Sequence, residues 1–366
     1  MKFEIGREEL LKPLQAVIGV VERRQTLPVL ANVLVVADGN GVSLTATDLE
    51  VELQARTGVA VDQPGRATLP ARKLMDIVRN LPNEVRIKVS VEQDRALITA
   101  ARSRFTLATL PADDFPSVEH IGDAEPMLIP QSRLRRLIER THFSMALQDV
   151  RYYLNGLLLE VESGRLRAVA TDGHRLALAE VDVDVRVDAP KQVIVPRKGV
   201  QELLRLLEAS DDNAEVTLGS NHVRVSMPDL RFTSKLIDGR FPDYQRVVPA
   251  AADKVMVADR EGLRQALVRA SILSNEKYRG VRFRLGQDLL GIQSNNPEQE
   301  EAHEELAVDY SSQPFEIGFN ASYVLDALGA VDEAEVEVVF TDANSSCLIR
   351  GKGNSSSKYV VMPMRL

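Results

Sequence analysis

The chain has a single cysteine, Cys347, and no tryptophan. One thiol forms no internal disulfide and has no companion ligands for a zinc site, so a reducing compartment is expected, and the cytoplasm is the natural address. Without tryptophan, a Cys/His finger or a basic zipper, base-specific reading of nucleic acid has little support. The five histidines, His120, His142, His174, His222 and His303, share no metal-ligand spacing. No apolar run approaches the roughly 20 residues that a membrane span requires. The amino terminus lacks a basic region followed by an apolar core and a small-residue cleavage site, and is expected to be unprocessed.

What is present is a folded composition, 44% hydrophobic and 27% charged, over 366 residues, more than one core usually serves. Two or three domains are expected, and self-comparison chooses three. An offset of 124 places Leu10 on Leu134, Leu14 on Ile138, Leu30 on Leu154 and Thr47-Asp48 on Thr171-Asp172. A similar offset takes Leu134-Arg135 to Leu263-Arg264, Gly156 to Gly280 and Thr171-Asp172 to Ser294-Asn295. Later segments recur as well: Pro70 with Arg72-Lys73 resembles Pro196-Arg197-Lys198, and Phe115-Pro116 falls on Phe241-Pro242. Gly122, Asp123 and Pro126, then Pro249 to Asp253, interrupt the periodic pattern, which predicts domains at 1–122, 126–249 and 253–366.

Apolar residues return at helical spacing over 7–18, 72–80, 132–140, 197–207, 260–272 and 321–328, two helices per domain. Runs at 33–36, 85–91, 157–161, 181–187, 216–225 and 336–340 favour strands, several with period-two alternation. The fold class is α+β, three tandem domains, each of two βαβββ-like half-repeats with mainly antiparallel sheets.

The net charge of −8 repels a phosphate backbone, unless the charges are segregated. The six helical segments with their capping residues carry a net +6, which leaves −14 on the rest of the chain. Helices lining one surface would then attract phosphates although the whole molecule repels them. Solubilising lysines and arginines on helices would give the same count.

Enzyme readings fare poorly. Thr171-Asp172-Gly173-His174 contains an acid–base pair, but its repeat counterpart, Thr47-Asp48-Leu49-Glu50, has no histidine, and a turn fits both. Asp182, Asp184 and Asp188 alternate with valines as the exposed side of a strand rather than as metal ligands. Gly351-Lys352-Gly353 lacks P-loop spacing and is followed by Asn354. A nuclease would need clustered carboxylates, which are absent from the pattern. A static DNA-binding protein would need a more basic surface.

Four motifs resemble the beta sliding clamp family of bacterial DNA polymerase III, and the likeness runs along the whole chain: Asp149-Val150-Arg151-Tyr152-Tyr153-Leu154-Asn155-Gly156, Thr171 to Leu176, Asp238-Gly239-Arg240-Phe241-Pro242-Asp243-Tyr244, and Val360 to Leu366. The resemblance implies a non-catalytic processivity factor without cofactor. It implies a head-to-tail homodimer of three-domain protomers, closed into a ring with helices lining the hole and sheets outside. Implied partners are duplex DNA, the clamp loader complex, and DNA polymerases carrying short clamp-binding motifs.

The residues implied to face DNA are Arg24, Arg72, Lys73, Gln148, Arg151, Tyr152 and Tyr153, with Arg197, Lys198 and Arg205 added by the repeat. If the two tyrosines lie in a strand they point to opposite faces, so at most one is core; in a loop that argument lapses. A pocket for partner peptides is implied at Leu154, Thr171, Gly173, His174, Arg175, Leu176, Pro242, Arg246, Val247, Ser346, Val360, Met362, Pro363, Met364, Arg365 and Leu366. Methionines suit such a surface because they repack against different ligands. An ordinary last strand closing its sheet would share the pattern, and the two readings are compatible. Asn344 departs from the apolar residue expected at that rim.

Ring closure implies complementary ends. Glu298, Glu300, Glu301, Glu304 and Glu305 form an acidic run, whereas Arg95, Arg102 and Arg104 flank Phe105 and Leu107, and Ile272 and Leu273 would help bury the seam.

Overall fold

The computed structural model describes residues 1–21, 27–116, 125–249 and 254–365. Six α-helices occupy these residues: α1 (Arg7–Val17), α2 (Ala71–Asn80), α3 (Gln131–Glu139), α4 (Arg197–Leu206), α5 (Arg260–Ser271) and α6 (Ala321–Ala330). Each exists for the reason its sequence predicts. In α1, Leu10, Leu11, Leu14 and Val17 are buried on one stripe; in α2 the stripe is Ala71, Leu74, Met75 and Val78. The Asp259 carboxylate caps α5 by accepting from the Gly262 N–H, and Asn320 caps α6 through the Ser322 N–H at 2.9 Å.

The chain forms two compact units, Met1–Ser132 with Gln201–Leu236, and Arg133–Val200 with Ile237–Leu366. The boundary between them crosses α3 and α4, so each unit holds one whole predicted domain and part of the second. In the first unit, a five-stranded antiparallel sheet runs Val61–Gln63, Lys2–Gly6, Arg86–Glu92, Arg95–Ala100, Ser103–Ala108. An eight-stranded sheet there is continuous across the repeats, because Leu230–Lys235 pairs antiparallel with Val51–Thr57. The second unit repeats the plan. Its eight-stranded sheet joins Arg175–Asp182 to Ser357–Val361, and its four-stranded sheet runs Glu301–Ala307, Leu289–Asn295, Gly280–Gly286, Phe315–Asn320. Its main core packs Leu263, Leu267, Phe283, Phe319, Phe340 and Tyr359.

Two strand expectations need correction, and one open alternative is decided. The run at 181–187 leaves the sheet at Asp182, because its partner strand begins only at Arg165; beyond it the Gly164 N–H donates to the Val185 carbonyl and the Val183 N–H to the Gly164 carbonyl. Exposure still alternates there, with Val183 buried and Asp182 and Asp184 exposed, but no ladder carries it. The run at 216–225 is two strands, Asn213–Leu218 and His222–Met227, paired as a hairpin. Tyr152 and Tyr153 lie in a 3₁₀ turn, Tyr152–Leu154, so period-two alternation does not govern them.

Candidate functional site

The Thr171–Arg175 segment is a tight turn built by its own side chains. The Asp172 carboxylate accepts from the His174 and Arg175 N–H groups at 2.9 and 3.0 Å, the Thr171 hydroxyl accepts from the Gly173 N–H, and Gly173 sits at φ +88°. His174 is exposed and its N–H serves the turn, which is the reading the sequence favours.

Beside this turn the second unit holds a cleft of about 170 Å³, lined by Arg151, Leu154, Thr171, Gly173, Arg175, Leu176, Pro242, Asp243, Tyr244, Val247, Val360 and Met362. Its walls come from the 3₁₀ turn at 152–154, the 171–176 turn, the 242–247 segment and the last strand. Nine of these residues are ones the sequence places in a pocket. Arg175 contributes a buttress more than an open charge: its guanidinium donates to Asp172 at 3.1 Å, to Asp326 and to the Phe143 carbonyl at 2.7 Å, and lies 4.6 Å from the Tyr323 ring centroid.

The other pocket candidates lie around or away from the lining. His174 contributes its carbonyl, which accepts from the Met362 N–H at 2.9 Å. Arg246 stands exposed at the rim, paired with Asp243 at 2.8 Å, and the Ser346 hydroxyl donates to the Val247 carbonyl at 3.3 Å. Met364 turns to the four-stranded sheet, its N–H bonded to the Gly318 carbonyl at 2.8 Å. Pro363 is half-buried, Arg365 is exposed, and Leu366 lies outside the described residues. Sequence reasoning missed Asp243 and Tyr244 as lining, although both stand in the 238–244 motif, and placed Arg151 only on the DNA-facing surface. Asp149 grips Arg151 with both carboxylate oxygens, at 3.0 and 2.8 Å; those bonds and the Arg151 N–H hold the Asp149 carboxyl down at about 2.

The basic candidates are scattered and partly engaged. Arg72 and Lys73 are exposed on α2, with Arg72 donating to the Val21 carbonyl at 2.8 Å. Arg197 donates to the Met145 carbonyl at 3.1 Å, and Lys198 is half-buried. Arg205 is committed to the end of α1, donating to the Gln15 and Ala16 carbonyls at 3.3 and 2.6 Å. Arg24 lies outside the described residues. Gln148 and Tyr152 are exposed; Tyr153 is half-buried and packs against the apolar cluster that includes Phe241. Leu147 and Val150, beside them, are 73% and 96% exposed, which no periodicity signalled. The helix charge is also neutralised more than the count implied. Arg136 and Arg140 converge on Asp332, and Arg269 pairs with Glu304 at 2.7 Å.

The acidic run and most of its basic counterpart lie on or just before outermost strands, whereas Arg95 opens the inner strand Arg95–Ala100. Ser103–Ala108 ends the five-stranded sheet, with Arg102 and Arg104 exposed, Phe105 half-buried and Leu107 buried. Glu301–Ala307 ends the four-stranded sheet, where Glu298, Glu300, Glu301 and Glu305 are exposed and Glu304 is held by Arg269. Ile272, just past α5, is 71% exposed, and Leu273 is half-buried. Among the described residues no three His, Cys, Asp or Glu side chains gather as a metal-binding group, and no helix is long and apolar enough to cross a membrane.

Comparison with known proteins agrees along the whole chain. The N-terminal, central and C-terminal domain families of the DNA polymerase III beta subunit match residues 1–119, 128–243 and 245–365. The beta sliding clamp of Pseudomonas aeruginosa is 57% identical, with both chains covered in full. The crystal structure of the Pseudomonas aeruginosa DNA polymerase III beta subunit superposes with a TM-score of 0.98 at 57% identity over all of both chains. A second structure from that organism, of the clamp bound to griselimycin, does so with a TM-score of 0.97 at the same identity and full coverage. The fold is three clamp domains of mixed α+β structure, and the chain belongs to the bacterial DNA polymerase III beta sliding clamp family.

Proposed function

We propose that this clamp, a non-catalytic processivity factor that tethers DNA polymerases, acts as a head-to-tail homodimer around duplex DNA and receives partner segments in the cleft beside Gly173. The observation that carries the ring is the pair of free sheet edges. An outermost strand presents unpaired N–H and C=O groups. The exposed Arg102 and Arg104, just before and within strand 103–108, complement the glutamates of strand 301–307 of the partner subunit, and a heterologous contact repeated twice closes a ring. Phe105, Ile272 and Leu273 are the apolar part of that seam, while Leu107 faces its own core. The domain limits that go with this reading are 1–122, 126–249 and 253–366.

Retention is topological rather than tight. Arg72, Lys73, Gln148, Arg151, Tyr152, Tyr153, Arg197 and Lys198 offer phosphate and sugar contacts without base reading, and Arg205, tied to α1, contributes field more than contact. Weak contacts of this kind let a ring slide. A clamp loader using ATP opens one seam, the ring closes on primed DNA, and polymerases then dock in the cleft. The protein itself uses no cofactor. The cleft suits a short apolar segment anchored by a few polar groups, and the relative bound to griselimycin supports a peptide-like occupant.

The test is to load the protein onto nicked circular DNA with a clamp loader proven on a known clamp, wash at high salt, and then linearise the DNA. Retention on circles followed by loss from ends is expected. Loss from both forms in the salt wash would indicate ordinary electrostatic binding instead.

A further inference from the structure

We propose that Tyr244 is a positioning residue of the cleft: its hydroxyl, seated on a row of polar side chains across the sheet behind it, fixes the 242–247 segment that forms one wall. The proposal rests on the cleft reading above and deepens it.

Four neighbouring strands place Gln192, Glu160, Arg167 and Glu180 directly opposite one another, Gln192 on Glu160, Glu160 on Arg167, and Arg167 on Glu180. Two residues further along the same face, Ile194, Leu158, Val169 and Leu178 form a second, apolar row in the same register. Tyr244 spans both. Its ring packs with the apolar row, and its hydroxyl donates to Glu160 Oε1 at 2.8 Å while accepting from Arg167 Nη1 at 2.9 Å. Glu160, which is 4% exposed, also receives Gln192 and Arg167, and Arg167 reaches Glu180 at 3.2 Å. Every polar member therefore has a partner, as a buried network requires. Burial opposes the charge on Glu160, but the bonds from Gln192 and Tyr244 and the charge of Arg167 prevail and keep its carboxyl below the usual range.

Tyr244 also begins the 3₁₀ turn Tyr244–Arg246, and its carbonyl accepts from the Val247 N–H at 3.2 Å. Pro242, Asp243 and Val247 line the cleft on either side of it. The segment has no strand ladder of its own; Phe241 and the Tyr244 ring pack it on the apolar row, Ser346 ties the Val247 carbonyl, and the Tyr244 hydroxyl adds its polar anchor to the sheet at depth. Without that anchor the wall is held less firmly against the rest of the lining, Leu176 and Val360 included, and an occupant loses close packing on this side.

The experiment measures griselimycin binding to the full-length protein by surface plasmon resonance, beside thermal melting, for the wild type, Met362→Ala, Tyr244→Phe, Glu160→Gln and the double variant of the last two. Binding by the wild type and weakening by Met362→Ala test the cleft; failure of either defeats the cleft reading, and this proposal with it. With both satisfied, Tyr244→Phe is expected to weaken binding about tenfold, mostly as faster dissociation. Glu160→Gln keeps the side chain's shape and an accepting oxygen, and weakens binding less. The double variant is expected to match Tyr244→Phe alone, because both act through one contact. Unchanged affinity in Tyr244→Phe, with or without a lower melting temperature, would overturn the proposal, as would additive losses in the double variant.

Discussion

The turns at Thr47–Val51 and Thr171–Arg175, one in each unit, are the same device put to different ends. In the first, the Asp48 carboxylate accepts from the Glu50 and Val51 N–H groups at 2.9 and 2.7 Å, and the Thr47 hydroxyl accepts from the Leu49 N–H at 3.0 Å. In the second, Asp172 and Thr171 make the corresponding bonds. Both turns need a residue at positive φ, Leu49 at +79° and Gly173 at +88°. The difference is what lies over that residue. A Cβ on Gly173 would meet the Arg151 guanidinium at 2.9 Å, so the absent side chain is what lets Arg151 lie against the turn and complete a cleft wall. Leu49 instead carries its side chain out, 40% exposed. The repeat supplies the scaffold twice, and a single missing side chain helps make one copy a cleft wall.

The largest expected effect comes from erasing that difference. Gly173→Leu puts the residue of the first turn into the second; it costs about 1–2 kcal/mol for the left-handed backbone and displaces Arg151. Griselimycin affinity is expected to fall more than about tenfold, a loss of at least ~1.4 kcal/mol on titration calorimetry. Unaltered affinity would mean that the turn is scaffold alone.

Next is a difference between the two turns, about 1–2 kcal/mol between one substitution and its counterpart. Asp172 takes the Arg175 guanidinium as well as two N–H groups, whereas the position matching Arg175 in the first turn is Val51. Asp172→Ala leaves a largely buried Arg175 short of a partner and is expected to cost about 2–3 kcal/mol, against about 1 kcal/mol for Asp48→Ala. Urea unfolding measures both. Equal losses would show that Arg175 draws its stability from Asp326 and the Phe143 carbonyl alone.

How far the sequence speaks for itself depends on the range of the interaction. All six helices are legible to within two residues, because burial every third or fourth residue is a local signal. The turn at 171–175 is legible for the same reason. The strand expected over 181–187 failed because alternating exposure outlasts the ladder, whose end is set by a partner strand elsewhere in the chain. Tyr244 was overlooked because its hydroxyl partners lie 84 and 77 residues away, and the pairing of Arg136 and Arg140 with Asp332 spans still more. A charge count along helices has no means of seeing such neutralisation.

The smallest effect runs the other way. Leu49→Gly removes a left-handed strain of about 1–2 kcal/mol, while the added chain freedom of glycine takes back about 0.5–1 kcal/mol. The side chain lost is well exposed, so little burial goes with it. A net gain of about 0.5 kcal/mol is expected, seen as a slightly higher urea midpoint with unchanged slope. A destabilised Leu49→Gly protein would show instead that the leucine packs against its surroundings strongly enough to justify its backbone, and that the first turn is a contact surface in its own right rather than an unoccupied copy of the second.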